Sequence, residues 1–130
     1  MKADMQTLLT LLNEDPELAR RGKFYSTSFS IQEGDEATNF IIEDGKVAAI
    51  NSQPNEQVAF KFVGSKEIWN RFREAEPPPG YHDLSAAIDQ GHLSLEGDPV
   101  PWLYNTLYIK RLVSLWKEAA ITPSQKWRKQ

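Results

Sequence analysis

A chain of 130 residues with 40 % hydrophobic and 25 % charged side chains, four of its aromatics tryptophan, has the make-up of one folded domain and excludes wholesale disorder. The formal net charge of -3 argues against nucleic acid as a partner, because neutralising phosphates takes a concentrated basic surface, and the only basic cluster runs from Lys126 to Lys129. Cysteine is missing, which removes disulfides, thiolate metal sites and a cysteine nucleophile, and no run approaches the roughly 18 apolar residues of a membrane span. The expectation is a single cytoplasmic domain over 1–130 with a short basic tail from about residue 123.

Met5, Leu8, Leu9 and Leu12 recur at helical spacing. Asp15-Pro16-Glu17 then reads as an N-cap, a proline at the first helical position and an acidic first turn, so two short helices precede Gly22. From Phe24 the period changes to two: Tyr25, Thr27, Phe29 and Ile31 share one face, and Ser26, Ser28 and Ser30 take the other. Turn residues Glu33 to Glu36 lead to a second strand, Thr38 to Ile42. Asp44-Gly45 is a two-residue hairpin signal, and Lys46 to Ile50 returns. A loop from Ser52 to Glu56 precedes Val58 to Val63, where Val58, Phe60 and Phe62 point one way. The expectation is an antiparallel meander extended to a fourth strand.

After Gly64 the pattern turns helical: Ser65 is the cap, Ile68, Trp69 and Phe72 form the stripe, and Pro77-Pro78-Pro79-Gly80 ends it in an extended connection. Asp83 caps a second short helix carrying Leu84, Ala87 and Ile88, closed by Gly91. A fifth strand over His92 to Glu96 and a long helix capped by Asp98-Pro99 complete the chain. The predicted fold class is α+β, a five-stranded, mainly antiparallel sheet with helices covering one face.

The terminal helix has more apolar surface than a core requires. At about 100° per residue, Tyr104, Leu115, Tyr108, Ala119, Leu112, Trp116, Ile109, Trp102 and Val113 sweep across roughly half its circumference, and Leu103 and Leu107 fall on the other half. Its first turns must therefore be covered by protein or by an apolar ligand. Catalysis has little support. His82-Asp83 is the only adjacent acid/base pair, neighbours in sequence rarely bond in catalytic geometry, and Asp83 already has a role as a cap. No nucleophile elbow, glycine-rich phosphate loop or metal-ligand spacing is present, so the expectation is a protein that is not an enzyme and takes no cofactor or metal.

This order of elements, with Gly91-His92-Leu93-Ser94-Leu95-Glu96-Gly97-Asp98 ahead of the final helix, resembles the sterol carrier protein 2 family of lipid-binding domains. The likeness extends to Phe40-Ile41-Ile42-Glu43-Asp44-Gly45-Lys46-Val47, which matches the family's central hairpin, and Pro77 to Asp83 resembles a bacterial branch of stand-alone members. The resemblance implies a five-stranded sheet, helices on one face, and an apolar tunnel between them for fatty acyl chains, acyl-CoA or sterols. Two departures stand out. The chain ends in Arg128-Lys129-Gln130 without the family's Ser-Lys-Leu type of peroxisomal signal, and Pro99-Val100-Pro101-Trp102 is bulkier than the usual small-residue run, so that Trp102 narrows the tunnel mouth.

On that resemblance, the lipid cavity is lined by Phe40, Phe60 and Phe62 of the sheet and by Trp102, Asn105, Tyr108, Ile109, Leu112 and Trp116 of the helix. At about 0.8 kcal/mol per methylene, ten buried methylenes give roughly 8 kcal/mol, about micromolar affinity before ordering costs. The rival reading has the same side chains filling a solid core, with the surplus face hidden in a homodimer or against a partner protein. Asn105, near the middle of the apolar arc, needs a hydrogen-bond partner, either a lipid headgroup or the backbone. Lys126-Trp127-Arg128-Lys129 offers at most transient contact with an anionic membrane surface.

Overall fold

Serine alternating with large apolar residues makes a strand whose two faces differ sharply, and that asymmetry organises the molecule. The computed structural model describes residues 5–53, 56–74, 77, 80, 81 and 83–119. The elements run α1 (Met5–Glu14), α2 (Pro16–Arg21), β1 (Thr27–Glu33), β2 (Glu36–Glu43), β3 (Lys46–Asn51), β4 (Phe60–Gly64), α3 (Lys66–Phe72), α4 (Leu84–Asp89), β5 (Ser94–Gly97), α5 (Val100–Tyr104) and α6 (Thr106–Ala119).

The sheet is five-stranded in the order β3-β2-β1-β4-β5. β1 to β3 form the expected antiparallel meander, whose hairpin turns on Asp44 and Gly45, both at positive φ as a two-residue primed turn requires. β4 leaves the meander. It crosses back to the far side of β1 and pairs with it in parallel, Phe29 opposite Phe60 and Ile31 opposite Phe62, and β5 then adds antiparallel to β4. The sheet is therefore mixed, with one parallel pair at its centre. The physical reason is on one face: Phe40, Phe29 and Phe60 stack across three strands with ring centroids 4.9 and 5.4 Å apart, an aromatic ladder that an edge position beside β3 would not provide.

That face is the floor of the core. Phe29, Ile31, Phe40, Ile42, Phe60 and Phe62 are buried in one cluster with Leu8 and Leu12 of α1, Leu18 of α2, Trp69 and Phe72 of α3, and the inward side of α6. The predicted caps form: Asp15 accepts from Leu18 N–H, Ser65 from Ile68 N–H and Asp83 from Ser85 N–H. β5 begins at Ser94, two residues later than His92, because the His92 N–H still bonds Ala87 and closes α4 behind the left-handed Gly91.

The terminal helix is not continuous. It breaks at Asn105, which leaves helical geometry at φ -142, ψ 60, so that a five-residue α5 meets a fourteen-residue α6 at a kink. Three side-chain bonds compete with the helical ladder there. Asn105 Nδ2 donates to Arg21 O at 2.9 Å, Thr106 Oγ1 donates to Trp102 O at 2.8 Å, and the Tyr25 hydroxyl donates to Pro101 O at 2.6 Å.

Candidate functional site

The predicted lining residues converge on one place. Phe40, Phe60, Phe62, Tyr108, Ile109 and Leu112 have no solvent exposure, and Trp102 and Trp116 almost none. Trp102 stands edge-on to Phe62 at 5.2 Å, and Trp116 edge-on to Trp69 at 5.6 Å. Sheet and helix thus meet through aromatic rings packed against one another. Asn105 comes to the rim of this layer, and its amide is engaged by the backbone of Arg21.

A junction of glycines and tyrosines holds the helix against the sheet. Gly22 and Gly45 approach so closely that a Cβ on Gly22 would lie 2.7 Å from both Gly45 Cα and Tyr108 Cε2. The Tyr108 hydroxyl donates to Gly45 O at 2.9 Å, and the Tyr25 ring lies edge-on to Tyr108 at 5.2 Å and stacked on Tyr104 at 6.1 Å. Burial pushes the Tyr25 phenol up to about 12 and the Tyr108 phenol higher still, the latter helped by Tyr25.

Around this junction the apolar surface continues into solvent. Val100, Leu103, Tyr104 and Leu107 are 63 %, 68 %, 77 % and 56 % exposed, and Phe24 is 89 % exposed. Of the helix's first turn, the fold itself buries Trp102 and leaves the surplus side chains open. Sequence reasoning missed Phe24 as a surface residue: it lies in the turn before β1 at φ 64, where strand alternation does not apply.

The other chemistry lies elsewhere. Tyr81 stacks on His92 with centroids 4.2 Å apart. Asp83 caps α4 and pairs with Lys110 at 3.0 Å; burial works against its charge, but Lys110 and the Ser85 N–H outweigh it and hold the pKa below the usual value. His82, the other half of the acid/base pair, lies outside the described residues, as do Pro78, Pro79 and the basic tail. A pocket of about 230 Å³ opens between α3, α4 and α6, lined by Phe72, Asp83, Leu84, Lys110, Ser114 and Lys117, none of them a predicted lipid contact. Among the described residues no three His, Asp or Glu side chains are grouped to hold a metal ion, and no helix is long and apolar enough to cross a membrane.

No protein-family model matches the chain, and no curated protein matches it by sequence. Solved structures do. The crystal structure of a sterol carrier protein 2 superposes with a TM-score of 0.72 at 15 % identity, covering 87 % of this chain and 92 % of that one. The solution structure of a conserved hypothetical protein from Thermus thermophilus gives 0.71 at 18 % identity, with 92 % and 88 % covered. The UbiJ-SCP2 ubiquinone synthesis protein gives 0.50 at 14 % identity, with 92 % and 89 % covered. These likenesses show the fold, which is the α+β arrangement of sterol carrier protein 2.

Proposed function

We propose that this protein binds an apolar lipid non-covalently, between the aromatic floor of the sheet and the kinked terminal helices, without catalysing a reaction on it. One observation carries the reading. α5 and the first turn of α6 keep Val100, Leu103, Tyr104 and Leu107 in water while Trp102 and Tyr108, beside them on the same helices, are buried on the sheet. A helix that is apolar all round but covered on one side has surface available for an apolar ligand, and the sterol carrier fold supports that choice.

In this mechanism the Trp102 ring is the movable part. It is the single buried side chain of the short helix α5 and closes the route to Phe62. Displacing that ring opens apolar surface on both sides of an acyl chain. Ten methylenes covered there give about micromolar affinity at about 0.8 kcal/mol each. Fatty acids, acyl-CoA and sterol-like molecules are the candidate cargoes.

Native mass spectrometry of the purified chain, joined to displacement of a fluorescent fatty acid, tests the proposal. The expected result is a lipid-sized adduct on the folded species and saturable displacement by one of the three cargo classes. No adduct, together with no displacement by any of them, sinks it.

A further inference from the structure

α6 carries a second stripe, which packs on neither the sheet nor the cargo surface. Lys110, Ser114 and Lys117 recur at i, i+4 and i+7, a spacing that sets them one above another on a single side of the helix, toward α3 and α4. With Phe72 of α3, and with Asp83 and Leu84 at the start of α4, they line the pocket of about 230 Å³. Its floor belongs to the core, since Phe72 and Leu84 are buried, and its rim is polar. At roughly 30 Å³ per water the space matches about eight waters, short of a site for a drug-sized molecule, so it suits a ligand of about that many non-hydrogen atoms.

The charges of this pocket do not cancel. Lys110 Nζ lies 3.0 Å from Asp83 Oδ1, which also accepts from Ser85 N–H, so the one carboxylate of the lining is matched. Lys117 is left over. Its ammonium sits 5.0 Å from the centroid of the Phe72 ring and ion-pairs with no carboxylate among the described residues. Glu67 pairs with Arg71 instead, and Glu74, Asp89 and Glu118 are exposed and stand outside the lining. Burial pulls the Lys117 pKa below the ordinary lysine value, and Glu118, next in the chain, opposes this without overcoming it. The Ser114 hydroxyl, one turn back, has no hydrogen-bond partner among the described residues either. An ammonium drawn partly out of water and a hydroxyl thus border an apolar floor without an acceptor between them.

We propose that this pocket binds a small organic monocarboxylate, its apolar body on Phe72 and Leu84 and its carboxylate facing Lys117 and the Ser114 hydroxyl. The single uncompensated charge selects a monoanion, and the buried hydrocarbon floor selects a carboxylate with an apolar body over inorganic phosphate. A charge-assisted bond to Lys117 restores the counter-charge that the fold withholds. None of these residues is among the proposed cargo contacts, so the two sites stand or fall separately.

The test is an amide chemical-shift titration of the full chain by nuclear magnetic resonance, with sodium benzoate as the probe, benzamide as its uncharged counterpart and inorganic phosphate as the bare anion. Lys117→Met keeps a stem over Phe72 and removes the charge; Lys117→Arg keeps the charge. The expected result is saturable benzoate binding with shifts confined to α3, α4 and α6, about tenfold weaker for benzamide and in Lys117→Met, as for loss of one charge-assisted hydrogen bond, and recovered in Lys117→Arg. Phosphate should bind more weakly than benzoate. Benzamide equal to benzoate, Lys117→Met equal to the wild type, or phosphate tighter than benzoate on the same residues overturns the inference. Displacement of the fluorescent fatty acid by benzoate would make the pocket one end of the cargo site and overturn it as a separate one, whereas benzoate binding in a chain that takes no fatty acid would support it and sink the cargo reading alone.

Discussion

Asn105 donates its side-chain amide to the carbonyl of Arg21 at 2.9 Å, across 84 positions of sequence. That bond replaces the regular geometry of one long helix with a kink and fixes α5 on the turn before β1. Asn105→Ala removes it and substitutes the strongest helix former where the helix now breaks. The expected outcome is a loss of about 1 to 2 kcal/mol in urea unfolding, with shifted Trp102 fluorescence as α5 re-aims. Unchanged lipid selectivity in the variant would agree with an amide occupied by the backbone.

Gly22 has no room for a side chain. A Cβ there meets Gly45 Cα and Tyr108 Cε2 at 2.7 Å and Leu18 O at 2.9 Å, and two of the three are backbone atoms that cannot swing aside. Gly22→Ala is expected to cost about 3 kcal/mol or more, measured by chemical denaturation. Gly91→Ala serves as the contrast: nothing lies within 4 Å, so only its φ of +78 counts, at about 1 kcal/mol.

The buried tyrosines set the alkaline limit. Burial raises Tyr25 to about 12, and Tyr108 is raised further. Their folded values lie above the unfolded phenol near 10, so the stability they contribute is complete below about pH 10 and is lost as pH rises through 12. Phenolate absorbance should therefore show two tyrosines that ionise only as the chain unfolds, and Tyr25→Phe and Tyr108→Phe should each remove one. Tyr108→Phe also leaves Gly45 O without its donor, a cost of about 1 kcal/mol.

At low pH the sensitive contact is Asp15 with Arg111. The guanidinium bonds both carboxylate oxygens, at 2.7 and 3.2 Å, while Asp15 also caps α2. The Arg111 hydrogen bond leads the effects that hold Asp15 below the ordinary carboxylate value, against burial. A depressed pKa contributes stability above the unfolded value near 4 that disappears as pH falls through the folded one. Asp15→Asn keeps a capping oxygen and removes the charge. Its stability should fall less steeply below about pH 4 than that of the wild type, and Asp15→Ala should cost about 1 kcal/mol more for the lost cap.

Local chemistry was legible where neighbours in sequence decide the outcome. Asp15, Ser65 and Asp83 cap the helices expected of them, Asp44-Gly45 makes its hairpin, and the period-two apolar residues of β1 and β4 face one core, because caps, turns and alternation act within a few residues. The predicted lining residues also meet in one aromatic layer, since periodicity reports which side of each element is apolar. Three features required the tertiary structure: the parallel pairing of β4 with β1, the kink at Asn105, and the outward Phe24. Each is decided by a group distant in the chain, Phe29 for Phe60, Arg21 for Asn105 and Asp44 for Phe24, and no local propensity carries information about a partner that only folding brings near.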